Sequence, residues 1–123
     1  MKVFIVDDSE LLRERVIGLI SDVENTQIVG QMETMYGSVD WIRKTQPEVL
    51  ILDIHLKDGN GIEILKRIKK DPDAPTVIIL TNYPYPQYRD KCEEAGAEYF
   101  LHKATEFDKL GDILRSLDEK EPA

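Results

Sequence analysis

A chain of 123 residues, 41% hydrophobic and 33% charged, has the length and composition of one globular domain with a proper core. Sixteen Lys and Arg against 24 Asp and Glu give a net charge of −8, which repels phosphate backbones and argues against nucleic-acid binding by this domain. No apolar stretch reaches the roughly 20 residues of a membrane span, the start at Met1-Lys2 lacks a signal-peptide pattern, and the single Cys92 excludes an internal disulfide and suits a reducing cytoplasm.

Lys2–Val6 reads as a buried strand that ends in Asp7 and Asp8. Ser9 is placed to cap a first helix, on which Leu12, Val16, Leu19, Ile20 and Val23 recur at helical spacing before Glu24-Asn25 closes it. Thr26–Met32 predicts a second strand, and its Gln27, Gln31 and following Glu33 put it at an edge, with one side toward solvent. A second helix is expected over Met35–Thr45, with Val39 and Ile42 inward and Trp41 at its margin, ended by Pro47. Val49–Leu52 is a four-residue apolar run of the kind found in strands buried on both faces, and it leads directly into Asp53. Asp58, Gly59, Asn60 and Gly61 supply turn chemistry. Beyond them a third helix, Ile62–Lys70, packs Ile62, Ile64, Leu65 and Ile68 on one side. Its Lys66, Arg67, Lys69 and Lys70 form a solvated face and last turn that complements the helix dipole.

After the loop Asp71–Pro75, Thr76–Leu80 is another apolar strand, ending in Thr81. Asn82–Pro86 delays a fourth helix, placed at about 87–95. It is the least apolar of the chain, with only Tyr88, Cys92 and Ala95 to turn inward, and is expected to be loosely held before Gly96 ends it. Ala97–Leu101 is a fifth strand that finishes at His102-Lys103. Thr105-x-x-Asp108 resembles a capping box opening a last helix with a Phe107, Leu110, Ile113, Leu114 and Leu117 stripe, and residues 119–123 form a polar tail.

Strict βα alternation repeated five times implies a parallel sheet with right-handed crossovers and helices on both faces. All the strands then point one way, so Asp7, Asp8, Asp53, Thr81 and Lys103 gather along one rim, where ligands of open α/β sheets bind. Three crowded carboxylates favour a hard dication, and Mg²⁺ keeps waters and accepts phosphate oxygens. A lysine and a hydroxyl beside it suit a phosphoryl group, whose transfer depends on positioning and charge neutralisation. Asp53, central and alone on its strand end, is the natural acceptor, as an acyl phosphate. Asp7 and Asp8 are the natural metal ligands.

The acidic pair Asp7-Asp8, Asp53 after VLIL, the downstream Gly61, Thr81 after VIIL and Lys103 after GAEYFLH together resemble a response-regulator receiver domain, the CheY-like phosphoacceptor of two-component signalling, across essentially the whole chain. The resemblance implies a flavodoxin-like (βα)5 three-layer sandwich with strand order 2-1-3-4-5 over residues 1–118. It implies that Asp53 takes a phosphoryl group from a histidine kinase or phosphotransfer protein. It further implies Mg²⁺ (or Mn²⁺) on Asp8, Asp53 and the backbone carbonyl of His55, with Asp7 acting directly or through water. Thr81 and Lys103 would hold the phosphoryl oxygens. Phe100, three before the lysine, matches an aromatic switch that turns inward on phosphorylation. The surface of the fourth helix, fifth strand and fifth helix would then change for a downstream protein partner.

Some residues depart from the family pattern. Ala104 and Thr105 follow Lys103 where receivers carry Pro, so the Lys103-Ala104 peptide can be cis or trans. Lys57 also replaces a frequent Pro. His55, Asn82 and Tyr83 are larger than many counterparts and are expected to shield the phosphoryl group from water and lengthen its lifetime. Tyr83, Tyr85 and Tyr88 form either a packed loop or a docking patch. Other readings are a Mg²⁺-dependent phosphatase or phosphotransferase with an aspartyl nucleophile, a degenerate receiver that binds without phosphorylation, and a receiver excised from a larger DNA-binding regulator. The phosphatase would want a second Asp where His55 stands, and the intact site argues against degeneracy. A chain ending soon after its fifth helix favours a stand-alone cytoplasmic receiver, not inserted in a membrane.

Overall fold

The computed structural model describes residues 1–120; the end of the expected polar tail, residues 121–123, lies outside the described residues. In chain order the elements are β1 (Lys2–Val6), α1 (Glu10–Ile20), β2 (Gln27–Met32), α2 (Ser38–Thr45), β3 (Val49–Leu52), β4 (His55–Leu56), β5 (Gly59–Asn60), α3 (Gly61–Ile68), β6 (Thr76–Thr81), α4 (Pro86–Glu94), β7 (Tyr99–His102), α5 (Lys103–Glu106) and α6 (Lys109–Lys120). Five strands form one parallel sheet in the order β2-β1-β3-β6-β7, the expected topology with β2 at an edge. No helix among them is long and apolar enough to cross a membrane.

Alternation along the strands divides the core into two layers. Phe4, Val6, Leu50, Leu52, Val77, Ile79 and Phe100 face α2, α3 and α4. Val3, Ile5, Val49, Ile51, Ile78, Leu80 and Leu101 face α1 and α6, which contribute Leu12, Val16, Ile20, Leu110 and Leu114. The central strands are apolar without a break because both their faces are covered.

Local chemistry sets the ends of the elements. The Ser9 hydroxyl accepts from Leu12 N–H at 3.2 Å and caps α1 as expected, but α1 ends at Ile20, and Val23 is buried from the turn beyond it. α2 starts at Ser38 rather than Met35, because Gly37 takes φ 79°, a left-handed conformation that cannot continue a helix. Asn60 caps α3 through its side chain. Gly96 ends α4 at φ 102°.

Three boundaries differ from expectation at the C-terminal side. The fifth strand begins at Tyr99, two residues later than the sequence predicts. The chain then turns helical at Lys103, so Thr105 lies inside a turn and caps nothing; the Glu106 carboxylate instead accepts from His102 N–H at 3.1 Å. α6 runs through Lys120, so residues 119 and 120, assigned to the tail, are helical. The Lys103-Ala104 peptide is trans.

Candidate functional site

The sheet ladder fixes two of the carboxylates before any side chain acts. Asp53 N–H donates to Val6 O at 2.9 Å and Asp7 N–H to Met32 O at 2.9 Å, so both aspartates leave adjacent strand ends in register. Asp7 Oδ1 accepts from Ser9 N–H, and Asp53 Oδ1 from Ile54 N–H, each at 2.8 Å. Gly61 closes the back of the site. Its N–H donates to Ile54 O at 2.7 Å, and a Cβ there would come within 1.9 Å of the Asp53 carbonyl oxygen, so only glycine fits.

Lys103, at the end of β7, reaches across two strands into this corner. Its ammonium lies 2.9 Å from Asp7 Oδ2 and 3.0 Å from Asp53 Oδ2. Carboxylate oxygens of Asp7, Asp8 and Asp53 lie within 4.8 Å of one another, with Asp8 on the solvent side and the other two buried. Three oxygen donors at that spacing fit a hard divalent cation.

The charges respond to this confinement. Burial raises the Asp53 carboxyl to about 6, because the charge of Lys103 and its hydrogen bond only partly offset the desolvation and Asp7 adds repulsion. Burial also raises Asp7, against the hydrogen bonds from Lys103 and Ser9. For Lys103 burial disfavours the ammonium, but the Asp7 hydrogen bond and the two carboxylate charges outweigh it, so its pKa is raised. One ammonium thus faces three carboxylates at this rim.

Thr81 is fully buried at the end of β6, and its Oγ1 accepts from Tyr83 N–H at 3.0 Å. Tyr83 thereby turns toward His55, with ring centroids 4.2 Å apart, and Tyr88 meets the His55 ring edge-on at 5.5 Å. Tyr85 joins through Tyr83 and Tyr88 at 6.4 and 6.0 Å. The three tyrosines therefore form one cluster, with Tyr83 and Tyr85 exposed and Tyr88 half-buried against the core, and His55 belongs to it. Asn82 stands apart from the stack, lining a surface cleft with Ser9, Leu12, Arg15 and Lys103. Phe100 is 8% exposed and packed in the core, its ring faced by the Arg89 guanidinium at 4.9 Å.

Three further residues support the site without having signalled it in sequence. Arg13 Nη1 donates to Asp7 O at 2.6 Å and braces the end of β1. Arg89 covers Phe100, and Asp58 bonds the loop before α2. Arg13 sits one helical turn past the Ser9 cap, a spacing that could have suggested a reach back to the strand. The sequence marks the other two only as surface charges.

A profile of the response regulator receiver domain matches residues 3–115. The sensory transduction protein LytT of Bacillus anthracis is 28% identical over 120 residues, covering 98% of this chain and 43% of LytT. The transcriptional regulatory protein DesR of Bacillus subtilis is 28% identical over 117 residues, covering 95% of this chain and 58% of DesR. The chain thus spans about half the length of these relatives. The fold matches the signal receiver domain of a DNA-binding response regulator protein (merR) from Colwellia psychrerythraea, with a TM-score of 0.88 at 20% identity over 98% of this chain and 99% of that one.

Proposed function

We infer, for a chain that belongs to the response regulator receiver family, that Asp53 accepts a phosphoryl group and that the modified domain acts as a binding switch. The observation that carries this reading is the Lys103 ammonium held between Asp7 and Asp53 at 2.9 and 3.0 Å, with Asp8 in reach on the open side. A nucleophilic carboxylate, two flanking carboxylates, a cation and a hydroxyl at one rim are what an in-line phosphoryl transfer requires.

In the proposed step, one Asp53 oxygen attacks the phosphorus of a phosphohistidine on a histidine kinase or phosphotransfer protein. The P–N bond breaks, the imidazole leaves with that electron pair, and an acyl phosphate forms. Asp7, Asp8, Asp53 and the backbone carbonyl of His55 would hold Mg²⁺ or Mn²⁺, which when bound supplies positive charge to the phosphoryl oxygens. Lys103 would exchange its bond to Asp53 Oδ2 for one to the phosphoryl group. Thr81 would exchange the Tyr83 amide for a phosphoryl oxygen. His55, Tyr83 and Asn82 would limit water access, and the 4.2 Å stack of the first two supports that role.

The output surface comprises α4, β7 and α6. Release of Thr81 from Tyr83 would free the β6–α4 loop, and Phe100, packed beneath Arg89 of α4, would adjust with that helix. Proteins are the proposed partners. The net charge of −8 opposes nucleic acid as a ligand of this domain, and the proposed compartment is the cytoplasm.

Incubation with a small phosphodonor and Mg²⁺, read by intact mass, should give one phosphoryl adduct that Asp53→Asn abolishes. Repeated turnover of unrelated phosphoesters would instead support the aspartyl phosphatase. Loss of the adduct should be faster in Tyr83→Ala and Asn82→Ala; unchanged decay in both would remove the shielding role.

A further inference from the structure

The hairpin that follows Asp53 is fastened by contacts that neither the sheet nor the core requires. His55–Leu56 pairs antiparallel with Gly59–Asn60. At the tip between them, the Asp58 carboxylate crosses to the loop before α2: Oδ1 accepts from Met35 N–H at 2.5 Å and Oδ2 from Tyr36 N–H at 3.0 Å. The bond from Met35, with that from Tyr36, holds the Asp58 carboxyl below its ordinary range although the group faces solvent. Beside it, Lys57 Nζ lies 3.1 Å from Glu33, and the Met35 thioether covers Gly59, where a Cβ would come within 2.7 Å of the sulfur.

The partner loop gains from this as well. α2 has Gly37 at its N-cap and no side-chain cap of its own, so Asp58 supplies acceptors to the segment just before the helix from 22 and 23 residues away. The base of the hairpin is held separately, by Gly61 N–H on Ile54 O. Base and tip are both anchored, and the two residues between Asp53 and Leu56 have little freedom left.

We propose that Asp58 is a positioning residue for the divalent cation. Its clamp preorders the hairpin whose first residue, His55, would supply the backbone carbonyl to the metal, an inference that rests on the metal reading above. A carbonyl on a free loop must be ordered when it binds, and one on a clamped hairpin is ordered already. Groups that orient metal ligands from outside typically change affinity tenfold or more. The coupling is reciprocal, so the bound cation strengthens the Asp58 clamp in turn.

Mg²⁺ titrated into the full chain by calorimetry, with circular dichroism reporting the fold, tests this. Asp58→Asn and Asp58→Ala remove the same charge, so any purely electrostatic loss is common to both, while Asn keeps one oxygen acceptor. Affinity is expected to fall about tenfold in Asp58→Ala and distinctly less in Asp58→Asn. Equal affinity in the two variants, or wild-type affinity in Asp58→Ala, overturns the proposal. Should Asp58→Ala fail to fold, the wild-type chain decides: saturating Mg²⁺ is expected to slow amide exchange at Met35 and Tyr36, and unchanged exchange at both overturns the clamp. A wild-type chain that binds no Mg²⁺ removes the metal reading and this inference with it, whereas binding with indifferent variants removes the inference alone.

Discussion

α3 and α4 cover the same face of the sheet and are nearly equal in length, yet they are held by different amounts. α3 buries Gly61, Ile62, Ile64, Leu65 and Ile68, and α4 buries Cys92 alone, with Tyr88 and Ala95 partly covered beside it. α3 follows directly from the hairpin beyond Asp53, and α4 from the loop beyond Thr81. The end of β3 that carries Asp53 is therefore followed by an anchored helix, and the end of β6 that carries Thr81 by a helix with little apolar area to lose. On the proposed reading of Asp53 as a phosphoryl acceptor, low local stability lies where a switch would have to move.

The largest expected effect tests the anchor. Leu65→Ala removes a fully buried side chain and should cost about 2–5 kcal/mol in denaturant unfolding, whereas Cys92→Ala, a small change in a buried site, should cost about 1 kcal/mol. Equal losses would break the comparison. Next is Gly61→Ala, whose methyl meets the Asp53 carbonyl oxygen at 1.9 Å. The backbone must shift, at a cost of about 1–3 kcal/mol, and phosphoryl uptake at Asp53 should fall with it.

The third prediction concerns Asp53 itself. With Asp53 raised from 3.8 to about 6, the folded chain binds more protons than the unfolded chain between those values. Stability from this group is therefore full at low pH and is lost as pH rises through about 6, and above that the ionised carboxylate costs the fold up to about 3 kcal/mol. Asp53→Asn should raise the melting free energy at pH 7.5 by about 1–3 kcal/mol without added metal, with the gain shrinking toward pH 4. A gain that grows on acidification would mean that Lys103, rather than burial, controls the site.

Residue patterns carried the parallel sheet, its two covered faces, the edge position of β2 and the five rim residues, because strand ends in a parallel sheet are a matter of counting; the full strand order came only with the family resemblance. What they did not carry depends on contacts distant in sequence. The hairpin of two-residue strands has no periodicity to read, and Asp58 looks like any turn aspartate until Met35 and Tyr36 are beside it. The early helical turn at Lys103 escaped because its cap is a Glu106 side chain bonding backward to His102, not a Thr at the start. The Arg89 contact on Phe100 was not legible either, since the charge that covers this β7 ring comes from α4, eleven residues earlier in the chain.

That covering charge gives the smallest prediction and the one most specific to α4. The Arg89 guanidinium lies 4.9 Å from the Phe100 ring centroid. The Glu106 carboxyl is held below its ordinary range by the Lys109 hydrogen bond first and the His102 N–H second, with the Arg89 charge the smallest contribution. One α4 side chain thus reaches the β7 ring, on a helix with almost no core of its own. An exposed cation–π contact is worth about 0.5–1 kcal/mol, so Arg89→Ala should leave global unfolding nearly unchanged in a domain anchored by α3. Local opening of α4 is a smaller equilibrium, and a loss of about 1 kcal/mol there means roughly fivefold faster amide exchange across Tyr88–Glu94. Arg89→Lys keeps the charge but loses the planar guanidinium over the ring, and should fall between the two. If α4 exchange does not change in Arg89→Ala, the helix is held by Cys92 and its neighbours after all, and the contrast with α3 is one of burial alone.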